Sequence, residues 1–206
     1  MQKLQNIFKK ISPGFFFEAG ANNGVDESNT LFLELNGWDG ILVEPNPIKY
    51  KECCHNRKVK SLHGALVSSD YKGSTISGNF LRNDRNSLMC SIFDIPEYFS
   101  EHQRQEVYGK IAEGSVEVPA FTLESIFDTN NIEQVDFLSL DLEGYEVAAL
   151  TGLNFDKIKP SYILIETANN PKYQQYTLDF LTAKGYKYFE KISGNDDLFI
   201  LNESIL

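Results

Sequence analysis

Residues 15–24 have the sequence FFFEAGANNG, an apolar run that ends at Glu18 and then turns through two closely spaced glycines. A helical pattern follows, and a second apolar run at residues 41–43 ends at Glu44. This order of strand, loop, helix and strand, with an acid after each strand, is typical of units that bind a nucleoside cofactor. We therefore expect a small adenosine-containing ligand at this end of the sheet.

The charge of the predicted loop limits the choice of ligand. The Glu18 carboxylate would repel a pyrophosphate at the glycine turn, whereas it would attract a ligand with a cationic amine. S-adenosylmethionine has an ammonium, a sulfonium and a ribose diol, and it has no phosphate. We expect the two oxygens of Glu44 to accept hydrogen bonds from both ribose hydroxyls. Gly20 and Gly24 would let the backbone approach this cofactor.

The same residues have a simpler interpretation. Glu18 and Glu44 could be ordinary strand-end acids, and glycine beside an acid is common in loops. Either acid alone is a weak signal, but their joint occurrence favours a cofactor site.

Composition indicates one domain and excludes some partners. A chain of 206 residues with 42% hydrophobic content fits a single, well-buried core. Its formal net charge of -10 argues against binding to nucleic acid or to an anionic membrane surface, since both are polyanions.

Cysteine spacing and the absence of targeting signals indicate a cytoplasmic location. Cys53, Cys54 and Cys90 lack the spacing of a zinc site, so we expect free thiols in a reducing compartment. Residues 1–10 contain lysines but no long apolar segment, and no later stretch is long enough to span a membrane.

Hydrophobic periodicity predicts alternating strands and helices. The predicted strands are at about residues 15–18, 41–44, 61–67, 135–140, 162–165, 186–191 and 198–201. The predicted helices are at about residues 26–35, 47–56, 123–129, 146–150 and 173–184. This pattern predicts an α/β, Rossmann-like, doubly wound sheet that is mostly parallel and ends in a C-terminal antiparallel hairpin. Ligands of such sheets bind at the carboxyl ends of the strands.

The alternation is interrupted by an insertion at about residues 78–117. Residues 96–110 have a polar helical pattern with aromatic side chains, which is typical of a lid that faces a substrate. A solvated excursion whose aromatics only anchor it to the core explains the pattern equally well.

Short motifs occur in a fixed order along the chain. They include residues 18–24 (EAGANNG), 28–30 (SNT), 37–40 (GWDG), 44–47 (EPNP), 135–146 (VDFLSLDLEGYE) and 195–199 (NDDLF). With these motifs the chain resembles the FkbM family of S-adenosylmethionine-dependent methyltransferases over about residues 15–201, apart from the insertion. The resemblance implies a class I methyltransferase fold with a seven-stranded sheet. It also implies methyl transfer to a hydroxyl oxygen, often on a sugar or a polyketide-like product.

Two positions depart from the pattern of that family. Many members have aspartate where this chain has Glu18, which keeps the charge on a longer side chain. Others have aspartate where this chain has Asn23. Asparagine lacks the charge of aspartate, so a role of that charge in the family does not apply to this chain.

Together these observations predict a set of site residues. The predicted cofactor-binding residues are Glu18, Gly20, Asn22, Gly24, Glu44, Pro45, Ala65 and Asp141. The predicted catalytic residues are Asp141, Glu143 and Glu166, with Asp141 as the leading general base for a hydroxyl acceptor. His102 is an alternative base in the insertion, although a surface histidine is the simpler interpretation.

A metal-assisted reaction is an alternative. Asp141 and Glu166, with Asn169 or Glu143, could supply oxygen ligands to Mg2+, which would bind a substrate diol. These acids could equally cap the amides of residues 144–145 or pair with lysines. We expect no required metal.

Two other functions share parts of this pattern. An NAD-type oxidoreductase would have the glycine turn and the second acid, but Glu18 and the absence of G-x-G-x-x-G spacing argue against it. A binding module that has lost turnover would be expected to lose its charged residues first, and they are present. The expected partner is a small-molecule or glycan hydroxyl acceptor, while the sequence does not specify which one, nor the oligomeric state.

Overall fold

The computed structural model describes residues 2–78, 116–167 and 170–202 of the chain. The predicted lid with His102 lies outside these residues, as do Cys90 and Asn169. The described helices are α1 (Gln2–Phe8), α2 (Leu31–Leu35), α3 (Pro47–Asn56), α4 (Leu123–Thr129), α5 (Glu146–Thr151) and α6 (Pro171–Ala183). The described strands are β1 (Phe15–Ala19), β2 (Asp39–Glu44), β3 (Lys60–His63), β4 (Ala65–Leu66), β5 (Thr75–Gly78), β6 (Val116–Phe121), β7 (Phe137–Leu140), β8 (Tyr162–Glu166), β9 (Tyr186–Lys191) and β10 (Asp196–Leu201).

Seven strands form the central sheet in the order β3-β2-β1-β7-β8-β10-β9. In this order, the neighbouring strands β3, β2, β1, β7 and β8 pair in parallel. Strand β10 is antiparallel to both β8 and β9. The predicted α/β fold, a mostly parallel sheet with a C-terminal antiparallel hairpin, is therefore confirmed. The carboxyl ends of β1, β2, β7 and β8 meet at one edge of this sheet, as parallel strands require.

The central strands β1, β2 and β7 are buried on both faces of the sheet, and their successive residues point to opposite sides. On β1, Phe17 packs in the larger core cluster with Phe127 of α4, and Phe16 packs in a second cluster on the other face. The second cluster includes Leu33 of α2 and Phe8 of α1. Two buried faces explain why these strands are nearly continuous apolar runs.

Helix α2 is shorter than the sequence predicts. The pattern predicts a helix over residues 26–35, but α2 begins at Leu31. The Asn23 side-chain oxygen accepts hydrogen bonds from the backbone N–H groups of Val25 (3.0 Å) and Asp26 (2.8 Å). Such local bonds compete with helical ones, so the first turns of the predicted helix are a loop instead. Asn23 therefore has a role in shaping this loop.

The predicted third strand at residues 61–67 is divided at Gly64. Strand β3 pairs with β2, whereas β4 belongs to a three-stranded sheet of order β4-β6-β5. A Cβ on Gly64 would lie 2.5 Å from the Phe121 ring, so only glycine fits where the chain passes from one sheet to the other.

The described helices are short. The longest of them, α6, has 13 residues, whereas a helix that crosses a bilayer needs about 20. Within the described ranges, no helix has the length and apolar character that a membrane crossing requires.

Candidate functional site

The glycine loop after β1 lies against the ends of both neighbouring strands. The backbone N–H groups of Gly20 and Ala21 donate to the Val43 carbonyl on β2 at 3.1 and 3.2 Å. On the other side, a Cβ on Gly20 would lie only 2.0 Å from the Asp141 carbonyl oxygen after β7. Gly20 also has a φ of +80°, which favours glycine. The loop therefore joins the second strand to the segment that follows β7.

Glu44, at the end of β2, is directed at the same loop. One carboxylate oxygen accepts a hydrogen bond from the Asn22 N–H at 2.8 Å, and the other accepts one from the Asn46 N–H at 2.8 Å. The side chain is buried, and this burial raises the pKa of Glu44 to about 7. Each oxygen has a second lone pair, so Glu44 can still accept two hydroxyl donors, such as those of a ribose.

Glu18 is held by the far part of the loop. Its carboxylate accepts hydrogen bonds from the Asn29 N–H (2.8 Å), the Thr30 hydroxyl (2.5 Å) and the Ser28 hydroxyl (3.0 Å). The Arg57 guanidinium lies 3.6 Å from it. These contacts give the Glu18 carboxylate a role in fixing the loop. The predicted contact between Glu18 and a cofactor ammonium stays a prediction.

The packing of neighbouring side chains requires glycine at position 24. A Cβ at this position would lie 2.7 Å from Cγ of Arg57 and 3.0 Å from Sγ of Cys53, and its φ is +79°. The sequence interpretation assigned this glycine to close approach by the cofactor. In the structure it is the Arg57 side chain that requires the space beside Gly24.

Pro45 and Ala65 lie near the end of β3. The Pro45 carbonyl is 3.0 Å from Nε2 of His63, and the His63 ring stacks on Tyr50 with 5.1 Å between centroids. Ala65 is buried on β4, one residue past the division at Gly64. Their predicted contacts with an adenosine stay predictions.

Three acids predicted to be catalytic lie together at the carboxyl edge. One carboxylate oxygen from each of Asp141, Glu143 and Glu166 lies within 4.8 Å of the others. We call these three residues the acid cluster. Asn195, on the C-terminal hairpin, donates its side-chain N–H to Glu166 at 3.2 Å. Three carboxylates at this spacing could hold a divalent cation or share a proton.

Crowding of carboxylates in a partly buried place makes the acid cluster hard to ionise. The pKa of Asp141 is raised well above its ordinary value, first by burial and then by the charge and hydrogen bond of Glu166. Burial, with the charges of Glu166 and Glu146, raises the pKa of Glu143 to about 9. With its pKa of about 9, Glu143 retains its proton at neutral pH in the absence of a cation.

Glu146 holds the loop that carries the acid cluster, a role that sequence reasoning missed. Its fully buried carboxylate accepts hydrogen bonds from the N–H groups of Leu142 (2.7 Å) and Gly144 (3.1 Å) and from the Tyr173 hydroxyl. The sequence offers Asp141 and Glu166 as alternative caps for the amides of residues 144–145. In the structure it is Glu146 that accepts the hydrogen bonds of the loop amides. Within this loop Glu143 adopts a φ of +55°.

The raised pKa of Glu143 predicts a pH-dependent stability. The pKa of Glu143 is about 9 in the folded state, whereas the pKa of the free side chain is 4.5. The stabilisation from this proton is complete below the unfolded pKa and is lost as the pH rises through the folded one. Glu143→Gln cannot lose a proton, so we expect its stability relative to the unmodified protein to increase between about pH 5 and about pH 9.

Urea denaturation in EDTA over this pH range measures the difference. The control is Glu133→Gln, which changes an exposed carboxylate away from the cluster. A difference between Glu143→Gln and the unmodified protein that stays constant with pH would contradict the raised pKa.

Comparison with protein-family models agrees with the sequence resemblance. A family model described as the methyltransferase FkbM domain matches residues 18–188. One of the matching solved structures, "Structure of a putative methyltransferase from Thermoplasma acidophilum", is 14% identical, with a TM-score of 0.40, over 95% of this chain and 74% of that chain. Comparison with curated proteins gives no match. Because the family model matches most of the chain, including the glycine loop and the acid cluster, the protein belongs to the methyltransferase FkbM domain family.

Proposed function

We propose that this protein is an S-adenosylmethionine-dependent O-methyltransferase that acts on a hydroxyl group of a sugar, a glycan or another small molecule. Membership in the FkbM methyltransferase family supports methyl transfer as the reaction. The cofactor, the oxygen acceptor and the residues involved are inferred from the site.

One observation carries the proposal: Glu44 and Asp141 contact the two sides of one glycine loop. Glu44 accepts the Asn22 N–H, and the Asp141 N–H donates to the Ala19 carbonyl at 3.1 Å, directly before Gly20. A ligand on this loop would therefore have a ribose acceptor on one side and a group of acids on the other. S-adenosylmethionine has a diol and cationic groups that suit these two sides.

The charges of the site also argue against a dinucleotide. Glu44 and Asp141 both lie at the loop where a Rossmann enzyme binds pyrophosphate. A pyrophosphate there would meet carboxylates rather than unopposed amide groups. We therefore favour a cofactor without phosphate.

The acid cluster suits the proton that a hydroxyl acceptor must lose. When bound, S-adenosylmethionine would supply an electrophilic methyl group for the acceptor oxygen and would leave as S-adenosylhomocysteine. In its ionised form Asp141 would accept the hydroxyl proton, and burial with the charges of Glu166 and Glu143 raises the pKa of Asp141, which makes that ionised form a stronger base. Glu146 would keep Asp141 in place through the loop amides.

The acid cluster also suits a divalent cation. Asp141, Glu143 and Glu166 could bind Mg2+, and this cation would lower the pKa of an acceptor hydroxyl. We propose proton transfer to the cluster without a required metal, and the assay below includes both conditions.

Two measurements test the proposed function. Mass spectrometry of the purified protein should detect co-purified S-adenosylmethionine or S-adenosylhomocysteine, and calorimetry should show that both bind. Label from methyl-labelled S-adenosylmethionine should then be transferred to a hydroxyl in a panel of glycosides, in EDTA as well as in Mg2+. Absence of cofactor binding would refute the proposal, and activity that EDTA abolishes would refute its metal-free form.

Replacement of Glu44 should weaken cofactor binding. Glu44→Ala removes both acceptors for the ribose hydroxyls, so we expect a loss of about 1–3 kcal/mol in the binding of S-adenosylhomocysteine. Glu44→Gln, which keeps one acceptor and the side-chain shape, should have an intermediate effect. Calorimetry gives the dissociation constants, and Glu52→Ala, an exposed acid on α3, is the control. An unchanged affinity in Glu44→Ala would remove Glu44 from the cofactor site.

Replacement of Asp141 should slow turnover more than it weakens binding. Asp141→Asn keeps the size of the side chain but cannot accept a proton, and general bases contribute about 10²–10⁴-fold to rate. We expect kcat to fall by about this factor, and the dissociation constant of S-adenosylhomocysteine to rise by a smaller factor. The acceptor found in the glycoside panel provides the assay. A normal kcat would exclude Asp141 as the base.

A further inference from the structure

We propose that Arg57 is a positioning residue that sets the conformation of the cofactor loop without touching the cofactor. This inference rests on the proposed function, because it assumes that the loop binds S-adenosylmethionine. Arg57 follows α3, far in sequence from the loop, and its side chain is buried.

The Arg57 guanidinium contacts three separate parts of the loop region. One terminal nitrogen donates to the Gly24 carbonyl at 2.9 Å and to the Ser28 hydroxyl at 3.1 Å. The other terminal nitrogen donates to the Thr30 hydroxyl at 3.0 Å. Nε donates to the Glu34 carboxylate on α2 at 2.5 Å. One side chain thus links the turn, the end of the loop and the helix that follows it.

Charge explains why a cation is needed at this position. Glu18 and Glu34 are both largely buried around Arg57, and a buried carboxylate without a partner is costly. Burial raises the pKa of Glu18, while Arg57 and the hydrogen bonds of Thr30, Asn29 and Ser28 oppose that rise. Arg57 therefore keeps Glu18 able to accept the hydrogen bonds that hold the loop.

The conformation set by Arg57 extends to the ribose acceptor. The Gly24 N–H donates to the Ala21 carbonyl at 2.8 Å, and the next residue, Asn22, donates its own N–H to Glu44. A shift of the Gly24 carbonyl away from Arg57 would move this turn and the N–H group that orients Glu44. The expected consequence is weaker cofactor binding in a protein that is still folded.

A guanidinium is suited to this task and an ammonium is not. The contacts require donors that point in three fixed directions, and arginine presents five N–H donors in a planar fork. Lysine would supply the charge but only one donor centre. Arg57→Lys therefore separates the geometry of the contacts from the charge.

Calorimetry with S-adenosylhomocysteine, at a temperature where circular dichroism shows the native fold, tests the proposal. We expect Arg57→Lys to raise the dissociation constant by about tenfold or more, the effect of one lost hydrogen bond to a charged group. Glu34→Gln, which loosens Arg57 but lies on α2 away from Glu44, should raise it by a smaller factor. Lys58→Ala removes a neighbouring positive charge on an exposed side chain and should change nothing.

Hydrogen exchange separates positioning from a general structural role. We expect exchange in Arg57→Lys and Glu34→Gln to be faster within residues 20–30 and unchanged in β7 and β8. Equal acceleration throughout the sheet, or unchanged dissociation constants in folded variants, would overturn the inference alone. If Arg57→Lys does not fold, Glu34→Gln decides by the same criteria. An unmodified protein that does not bind S-adenosylhomocysteine would overturn the proposed function and this inference together.

Discussion

The close contact between the chain after β1 and the chain after β7 is the constraint on which the site depends. These strands are neighbours at the centre of the sheet, with Ala19 opposite Leu140, so both segments leave the same edge side by side. Gly20 can pass the Asp141 carbonyl only because it has no Cβ. This contact places the glycine loop beside the acid cluster, and the proposed methyl donor and proton acceptor are adjacent for that reason.

The acids at this edge have two different environments. Glu18 and Glu34 share the positive charge of the Arg57 guanidinium, and their contacts stabilise the loop. In the acid cluster the described contacts of Asp141 and Glu143 are with other carboxylates, and their pKa values are raised. Acids that pair with a cation suit a structural role, whereas carboxylates that lie against one another suit proton transfer or cation binding. The same residue type therefore serves the scaffold at one place and the chemistry at another.

Sequence patterns predicted the elements whose signals are local. Asn46 and Pro47 gave the start of α3, and apolar runs that end in Glu44 and Glu166 gave the strand ends. Local patterns failed where side-chain hydrogen bonds to the backbone replace helical ones, as those of Asn23 do before α2. They also could not reveal that Arg57 is the partner of Glu18, or that Glu146 caps the loop after β7, because those contacts depend on the packed fold. A buried acid such as Glu18 does require a partner, and that requirement was the available signal.

A crystal structure with bound S-adenosylhomocysteine tests the central claim most directly. We expect both ribose hydroxyls to lie within about 3 Å of the Glu44 carboxylate oxygens, with the sulfur on the side of the loop that faces Asp141. A ligand bound at another edge of the sheet, or a ribose that does not contact Glu44, would contradict it.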